Sequence, residues 1–186
     1  MQRGIIDTMK RTVTYMLCLL PLLLAACHRS PKLPLPMQRA EAMMQPHPDS
    51  ALAILASMTP PPTAQRFQFE AWKVLLVQAR DRNYLPIIPY ERAIRRSVTY
   101  FDSIATDATS LRAKAHYYLG RIYQDKGDDV NTVREFLTAE PLAEEAKDTT
   151  MMINAKSNMG FVFWNNNLLE ESDSLYRKLI PLEIAK

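Results

Sequence analysis

Apolar residues recur along most of this chain at helical rather than strand spacing. The clearest case is LRAKAHYYLGRIYQDKGDDVNTVREFLTAEPL, residues 111–142. Leu111, Ala115, Tyr118, Leu119 and Ile122 fall at i, i+4, i+7, i+8 and i+11, one face of an α-helix. Gly127 follows its last turn, where a residue with positive φ ends a helix without a Cβ clash. Asp128 or Asp129 then caps a second helix through a side-chain oxygen. The expected stripe of that helix is Val130, Val133 and Leu137, broadened by Phe136 and Ala139. Pro141 lacks an N–H, which predicts a kink or break near Glu140. This stretch therefore reads as two antiparallel helices joined at Lys126-Gly127-Asp128. Gly120, set among Tyr117, Tyr118, Leu119 and Tyr123, leaves room for a neighbouring helix to come close.

The same spacing predicts further helices. Met37–Gln45 is closed by Pro46 and Pro48. Ala51–Met58 follows, capped by Asp49 or Ser50 and stopped by Thr59-Pro60-Pro61-Pro62-Thr63. Ala64–Arg82 carries a stripe of Phe67, Ala71, Val74, Leu75 and Ala79. Trp72, Leu76 and Val77 add a second apolar side, so burial on two faces is expected. Asn83 stops it. Tyr90–Ile104 turns Ile94, Val98, Phe101 and Ala105 inward, with Arg92, Arg95 and Arg96 as a solvated basic face. In the last stretch Leu168, Ser172, Leu175, Leu179 and Leu182 form a stripe that Ile180 and Ile184 widen.

Composition supports an all-α fold. Four glycines against 13 prolines, with no Asn-Gly turns, argue against a sheet protein. The first residues stand apart. Lys10 and Arg11 precede the apolar run Val13–Ala26, and small residues lie before Cys27: the layout of a secretory signal. The run is 14 residues, short of the roughly 20 that span a bilayer. Leu24-Ala25-Ala26-Cys27 closely resembles the bacterial lipobox, which implies that Cys27 becomes the first mature residue and carries the lipid. The expected organisation is a lipoprotein signal at 1–26, a Pro-rich tether at 27–36 that contains SPKLPLP, and a helical domain at 37–186. Residues 1–26 hold three of the 23 basic and one of the 20 acidic residues, so the remainder carries a net charge of only +1. No electrostatic case for nucleic acid remains. Cys18 leaves with the signal and Cys27 is acylated, so no disulfide forms within the mature chain.

The helices repeat. Ala71-Trp72-Lys73-Val74-Leu75 aligns with Ala115-His116-Tyr117-Tyr118-Leu119 at an offset of 44. Met159-Gly160 aligns with Leu119-Gly120 at an offset of 40, and then Phe163 matches Tyr123, Asn167 matches Gly127, Tyr176 matches Phe136 and Leu179 matches Ala139. The run His116, Leu119-Gly120, Tyr123, Thr132, Phe136, Ala139 resembles a tetratricopeptide repeat. It departs from that pattern in His for the commoner Trp, Thr for the first Ala, an early Pro141, and offsets longer than the usual period of about 34. Residues 111–182 resemble two such repeats, 64–105 a more degenerate one, and 37–58 a short leading pair. With the lipobox, the tether and HPDSALAILASM, the chain is similar to tetratricopeptide-repeat lipoproteins of Gram-negative bacteria, and to a short or truncated member of them.

The resemblance implies an α-solenoid of antiparallel hairpins whose first helices line a concave surface. By alignment the groove residues are Lys73, Lys114, Tyr117, Arg121, Gln124, Ser157, Phe161 and Trp164. This mix suits an extended peptide or an acidic segment. Phe161 and Trp164 are either its anchors or part of the core. The clamp that some members place on C-terminal carboxylates is not reproduced, because Val77 stands where Asn is wanted. The resemblance also implies an envelope location, with the membrane held through Cys27 and the domain facing the periplasm, most simply from the outer membrane.

Candidate chemistry is sparse. The histidines at 28, 47 and 116 lack metal-ligand spacing, and the glycines at 4, 120, 127 and 160 make no phosphate loop. No nucleophile elbow occurs. His116 reads as a packing residue. Glu144-Glu145 and Glu170-Glu171 point about 100° apart on helices and make poor acid/base pairs. The expectation is a non-catalytic scaffold, without cofactor or metal, that binds a protein or peptide. The alternative is a truncated remnant of a longer repeat-containing membrane sensor or regulator. A glycan or cell-wall enzyme is a third reading, and no clustered acid pair supports it. Asp49-Ser50-Ala51, Asp102-Ser103-Ile104 and Asp173-Ser174-Leu175 resemble an O-glycosylation sequon of some bacteria. The apolar last helix predicts a cover: a second copy of the chain forming a homodimer, another protein, or the N-terminal arm.

Overall fold

Helical periodicity becomes helices throughout the computed structural model, which describes residues 32–104 and 108–184. Among the described residues there are eight α-helices and no strand. They are α1 (Leu35–Met43), α2 (Pro48–Ser57), α3 (Arg66–Arg82), α4 (Glu91–Ser103), α5 (Thr109–Asp125), α6 (Asp129–Glu145), α7 (Thr149–Asn165) and α8 (Leu169–Ile184). A single 3-10 turn, Ile88–Tyr90, leads into α4. Each helix packs on its neighbour in sequence, and the odd-numbered helices also touch in succession, α1 on α3, α3 on α5, α5 on α7. No described helix is long and apolar enough to cross a membrane. The expected signal, Cys27 and Ala105 lie outside the described residues, as do the side chains of Leu182 and Ile184.

Helix α5 is buried on most of its circumference. Leu111, Ala115, Tyr118, Leu119 and Ile122 enter the core as the stripe predicts, and Ala113, Lys114, His116 and Tyr117 are buried as well. Its neighbour α6 is rotated from expectation. Thr132, Phe136, Ala139 and Ala143 form the buried face, whereas Val130 is 73% exposed and Leu137 also faces solvent. Gly120 explains the rotation. A Cβ there would lie 2.8 Å from the Phe136 ring, so the bare glycine is the socket that the ring fills. The next hairpin repeats the device, with the Tyr176 ring of α8 at 3.0 Å from a Cβ built on Gly160.

Helix endings follow one scheme. Gly127 has φ +72°, and the Asp128 N–H reaches back to the Tyr123 carbonyl at 2.9 Å. Lys147 (φ +57°) and Asn167 (φ +61°) occupy the same left-handed position after α6 and α7. The Asp148 N–H then bonds the Ala143 carbonyl at 2.8 Å and the Leu168 N–H the Phe163 carbonyl at 2.9 Å. Such a reversal satisfies carbonyls that a helix end leaves open. The following helix is capped by Asp128, which accepts from the Asn131 N–H at 3.2 Å, or by Asp148, which accepts from the Met151 N–H at 2.9 Å. Lys147 is the poor fit, because its Cβ is strained at positive φ. Lys147→Gly is expected to raise stability by about 0.5–1 kcal/mol, read as a higher denaturant midpoint at unchanged slope.

Three boundaries differ from the sequence reading. Pro141 does not break α6, which runs on to Glu145. The carbonyl that loses its partner belongs to Leu137, and both Leu137 and Pro141 lie on the solvent face, where water can take the place of the missing N–H. Asp49 is not the cap of α2. The helix begins at Pro48 after His47, and Asp49 sits in the first turn, where its charge complements the helix dipole. Finally, α1 starts at Leu35, with Pro34 at its N-cap and Pro36 in the first turn, so the tether expected through residue 36 gives way to helix earlier.

Candidate functional site

The last turn of α3, the second half of α5 and the middle of α7 converge on an open groove of about 1020 Å³. Its floor is polar. Arg121 of α5 donates to Asp81 of α3 at 3.2 Å, to Asp125 at 3.3 Å, and to Gln124. Burial works against the Arg121 charge, but Asp81 beside it outweighs that and holds the guanidinium above its ordinary pKa. The Tyr117 hydroxyl accepts from the Asn158 side-chain amide of α7 at 3.0 Å. Burial pushes the phenol up to about 12, so it stays protonated.

The rims are apolar. On one side stands Tyr84-Leu85-Pro86, with Tyr84 98% exposed at φ +56°. Asn83 fixes the start of this loop by donating to the Pro48 carbonyl at 2.8 Å, and Arg80 holds its end by donating to the Pro86 carbonyl at 3.1 Å. On the other side Phe161 is 46% exposed. Trp164, 59% exposed, lies one turn on, its ring 6.2 Å from that of Phe161. A groove with hydrogen-bonding groups below and aromatic faces at its edges can seat a flat polar chain and its side groups.

Tyr117, Arg121, Gln124 and Phe161 line this groove, and Trp164 extends its edge. The other residues implied by alignment lie elsewhere. Lys73 is paired with Glu70 in the α3–α4 contact and reaches the Ala93 carbonyl. Glu70 in turn accepts from Ser97 at 2.7 Å. Lys114 is buried and forms an ion pair with Glu41 of α1, so it ties two helices together. Ser157 turns its carbonyl to the Tyr176 hydroxyl of α8, at 3.2 Å. The alignment missed Asp81, Arg82, Asp125, Asn158 and the Tyr84 loop. Asp81 and Arg82 belong to the final turn of α3, which meets α5 only after the chain folds. The placement of Asn158 was legible in principle, since it lies two residues before Gly160 on the stripe already aligned.

His116 is more than a packing residue. Its Nδ1 lies 2.7 Å from Glu135 Oε2 of α6 and its Nε2 3.2 Å from Asp102 Oδ1 of α4. Arg112 holds the same Asp102 oxygen at 2.7 Å. Among the described residues no group of His, Cys, Asp or Glu is arranged to hold a metal ion. Of the sequon serines, Ser103 and Ser174 are exposed and Ser50 is half-buried. Comparison with known protein families, with characterised proteins and with solved structures yields no match.

Proposed function

We propose that the chain is a tetratricopeptide-like α-solenoid, anchored in the cell envelope by a lipid on Cys27, that holds an extended peptide segment of a partner protein without catalysing a reaction. The observation that carries this reading is the groove itself: a polar floor spanning α3, α5 and α7 between two exposed apolar rims. An extended peptide offers backbone N–H and C=O groups to such a floor and side chains to the rims. The contact of odd-numbered helices with one another, and the twice-used glycine socket, support a stack of like hairpins. Exposed rings at the edge of a groove are where binding energy concentrates when a partner covers them.

The test is a random peptide library selected on the full chain. Recovered peptides are expected to share an apolar or aromatic position. Their affinity is expected to fall about tenfold or more with Phe161→Ala or Trp164→Ala, because such anchors commonly contribute over 1.4 kcal/mol. Both side chains are exposed, so the fold tolerates their removal. Recovered peptides whose binding ignores both substitutions, or no recovered peptide, would overturn the reading.

A further inference from the structure

Helix α8 repeats α6 at an offset of 40 residues, and the fold keeps that register. Phe136 and Tyr176 fill the sockets at Gly120 and Gly160, and Thr132 and Ser172 are both buried. Two α6 residues are held by the helix stacked next to it. Asp129 accepts from the side-chain amide of Asn166, the C-cap of α7, at 2.7 Å, and Glu140 pairs with Lys156 of α7 at 3.0 Å. Their counterparts on α8 are Leu169 and Ile180. So α8 carries two apolar residues where α6 carries the polar pair that seats its neighbour. Leu169 is 54% exposed and Ile180 55%. They stand three turns apart on one side of the helix, and the exposed Tyr176 lies between them. Among the described helices only α7 packs extensively on α8.

A cover for this side differs from α7. It has to bring apolar groups at the spacing of Leu169 and Ile180, and α8 is itself a helix with that pattern. The charges beside the stripe point the same way. Glu170 and Asp173 flank its first half and Arg177 its second, all three exposed. Asp173 holds Arg177 at 2.6 Å within the helix, whereas Glu170 has no ion-pair partner among the described residues. A second α8 laid parallel sets acid against acid. Laid antiparallel across a two-fold axis between Ser174 and Leu175, it sets Leu169 of each copy against Ile180 of the other. Arg177 of each then comes within a turn of Glu170 and Asp173 of the other, on the same flank. A two-fold contact is self-complementary in this sense.

We propose that the exposed side of α8 is a self-association surface, on which two copies of the chain pair α8 antiparallel with Leu169 on Ile180. None of these residues lines the groove, so the pairing does not depend on what the groove holds. One helix face is small for an interface, and a dissociation constant of about 1–100 µM is expected.

The experiment uses the full chain in detergent micelles. Leu169→Cys and Ile180→Cys are made separately. Both side chains are exposed, so the fold tolerates their loss. In the antiparallel pair the two copies of either residue stand about 16 Å apart along the axis, beyond the reach of a short bismaleimide. Each variant alone is therefore expected to give no more cross-linked dimer than the parent, which accounts for Cys18 and Cys27. The mixture of the two is expected to cross-link. In sedimentation equilibrium the parent is expected to dimerise, and Ile180→Glu to weaken the dimer about tenfold or more. A parent that stays monomeric up to about 100 µM overturns the pairing. So does cross-linking of Leu169→Cys to itself, or an Ile180→Glu variant that dimerises as well as the parent. Adducts that form in intact envelopes only with other proteins overturn it too, and assign the cover of α8 to a different chain.

Discussion

Gly120→Val is expected to destabilise the chain by about 2–3 kcal/mol, whereas Gly160→Val costs well under half as much. Both glycines face a ring from the partner helix of their hairpin, at 2.8 Å for Phe136 and 3.0 Å for Tyr176 from an ideal Cβ. The difference is what each ring can do when pushed. Phe136 is fully buried and lies 5.4 Å from the Tyr117 ring, so it cannot retreat without shifting α6. The Glu135 Cβ, 3.3 Å away, closes the other escape. Overpacking of this kind costs about 1–3 kcal/mol, and the β-branch adds to it. Tyr176 is exposed, with its hydroxyl donating to the Ser157 carbonyl, so its ring can swing out toward solvent. Gly→Ala separates the terms further, since alanine gains about 1 kcal/mol of helix propensity. At Gly160 that gain should show as a raised midpoint, and at Gly120 it should be cancelled. Phe136→Leu is expected to rescue Gly120→Ala in a double-mutant cycle. Equal costs at the two glycines in urea unfolding would sink the socket explanation.

The helical class of this chain was legible because its signals are local. Apolar spacing of three and four, proline stops and the Gly127 reversal each act within one or two turns. The stripe of α5 is local in the same way and coincides with the face it buries. The stripe of α6 does not coincide with its buried face. Val130 and Leu137 satisfy helical periodicity as well as Phe136 and Ala139 do, and only contact with Gly120 chooses between the two faces. Pro141 misled because the cost of a missing hydrogen bond depends on whether water reaches the orphaned carbonyl, a property of the folded surface. Within the groove, alignment reached Tyr117, Arg121, Gln124 and Phe161, which lie on the two helices that carry Gly120 and Gly160. It misplaced Lys73 and Lys114, whose apparent freedom is spent on Glu70 and Glu41, one of them 73 residues away in sequence. Asp81 became visible as a groove residue only once helices from separate hairpins met.

The same dependence on tertiary partners gives His116 a titration that unfolding experiments can read. Burial works against its imidazolium, but the hydrogen bonds and charges of Glu135 and Asp102 outweigh that and raise its pKa above the ordinary 6.5. The groups that face it are Asp102 of α4 and Glu135 of α6, with Arg112 of α5 on Asp102 and Arg95 of α4 acting on Glu135 at longer range. A folded-state pKa above the unfolded one means stability that is fully present below about pH 6.5 and lost as pH rises through the raised value. Asp102 works in the opposite direction. Burial pushes its pKa up, but Arg112 and His116 overcome this and hold it below the ordinary carboxylate value. Its contribution is therefore present above about pH 4 and lost in acid. The cluster thus favours a stability maximum between roughly pH 4 and 6.5, with a decline on the alkaline side. His116→Gln keeps a hydrogen-bonding side chain of similar reach but cannot carry charge. At pH 6 it should cost about 1–3 kcal/mol, the worth of a hydrogen bond to an ionised partner. Urea midpoints of the two proteins should converge as pH climbs from 6 to 8.5, because the parent loses its proton and the variant has none to lose. Parallel curves over that range would show that the imidazole between α4 and α6 is neutral, and that the two carboxylates are held by Arg112 and Arg95 instead.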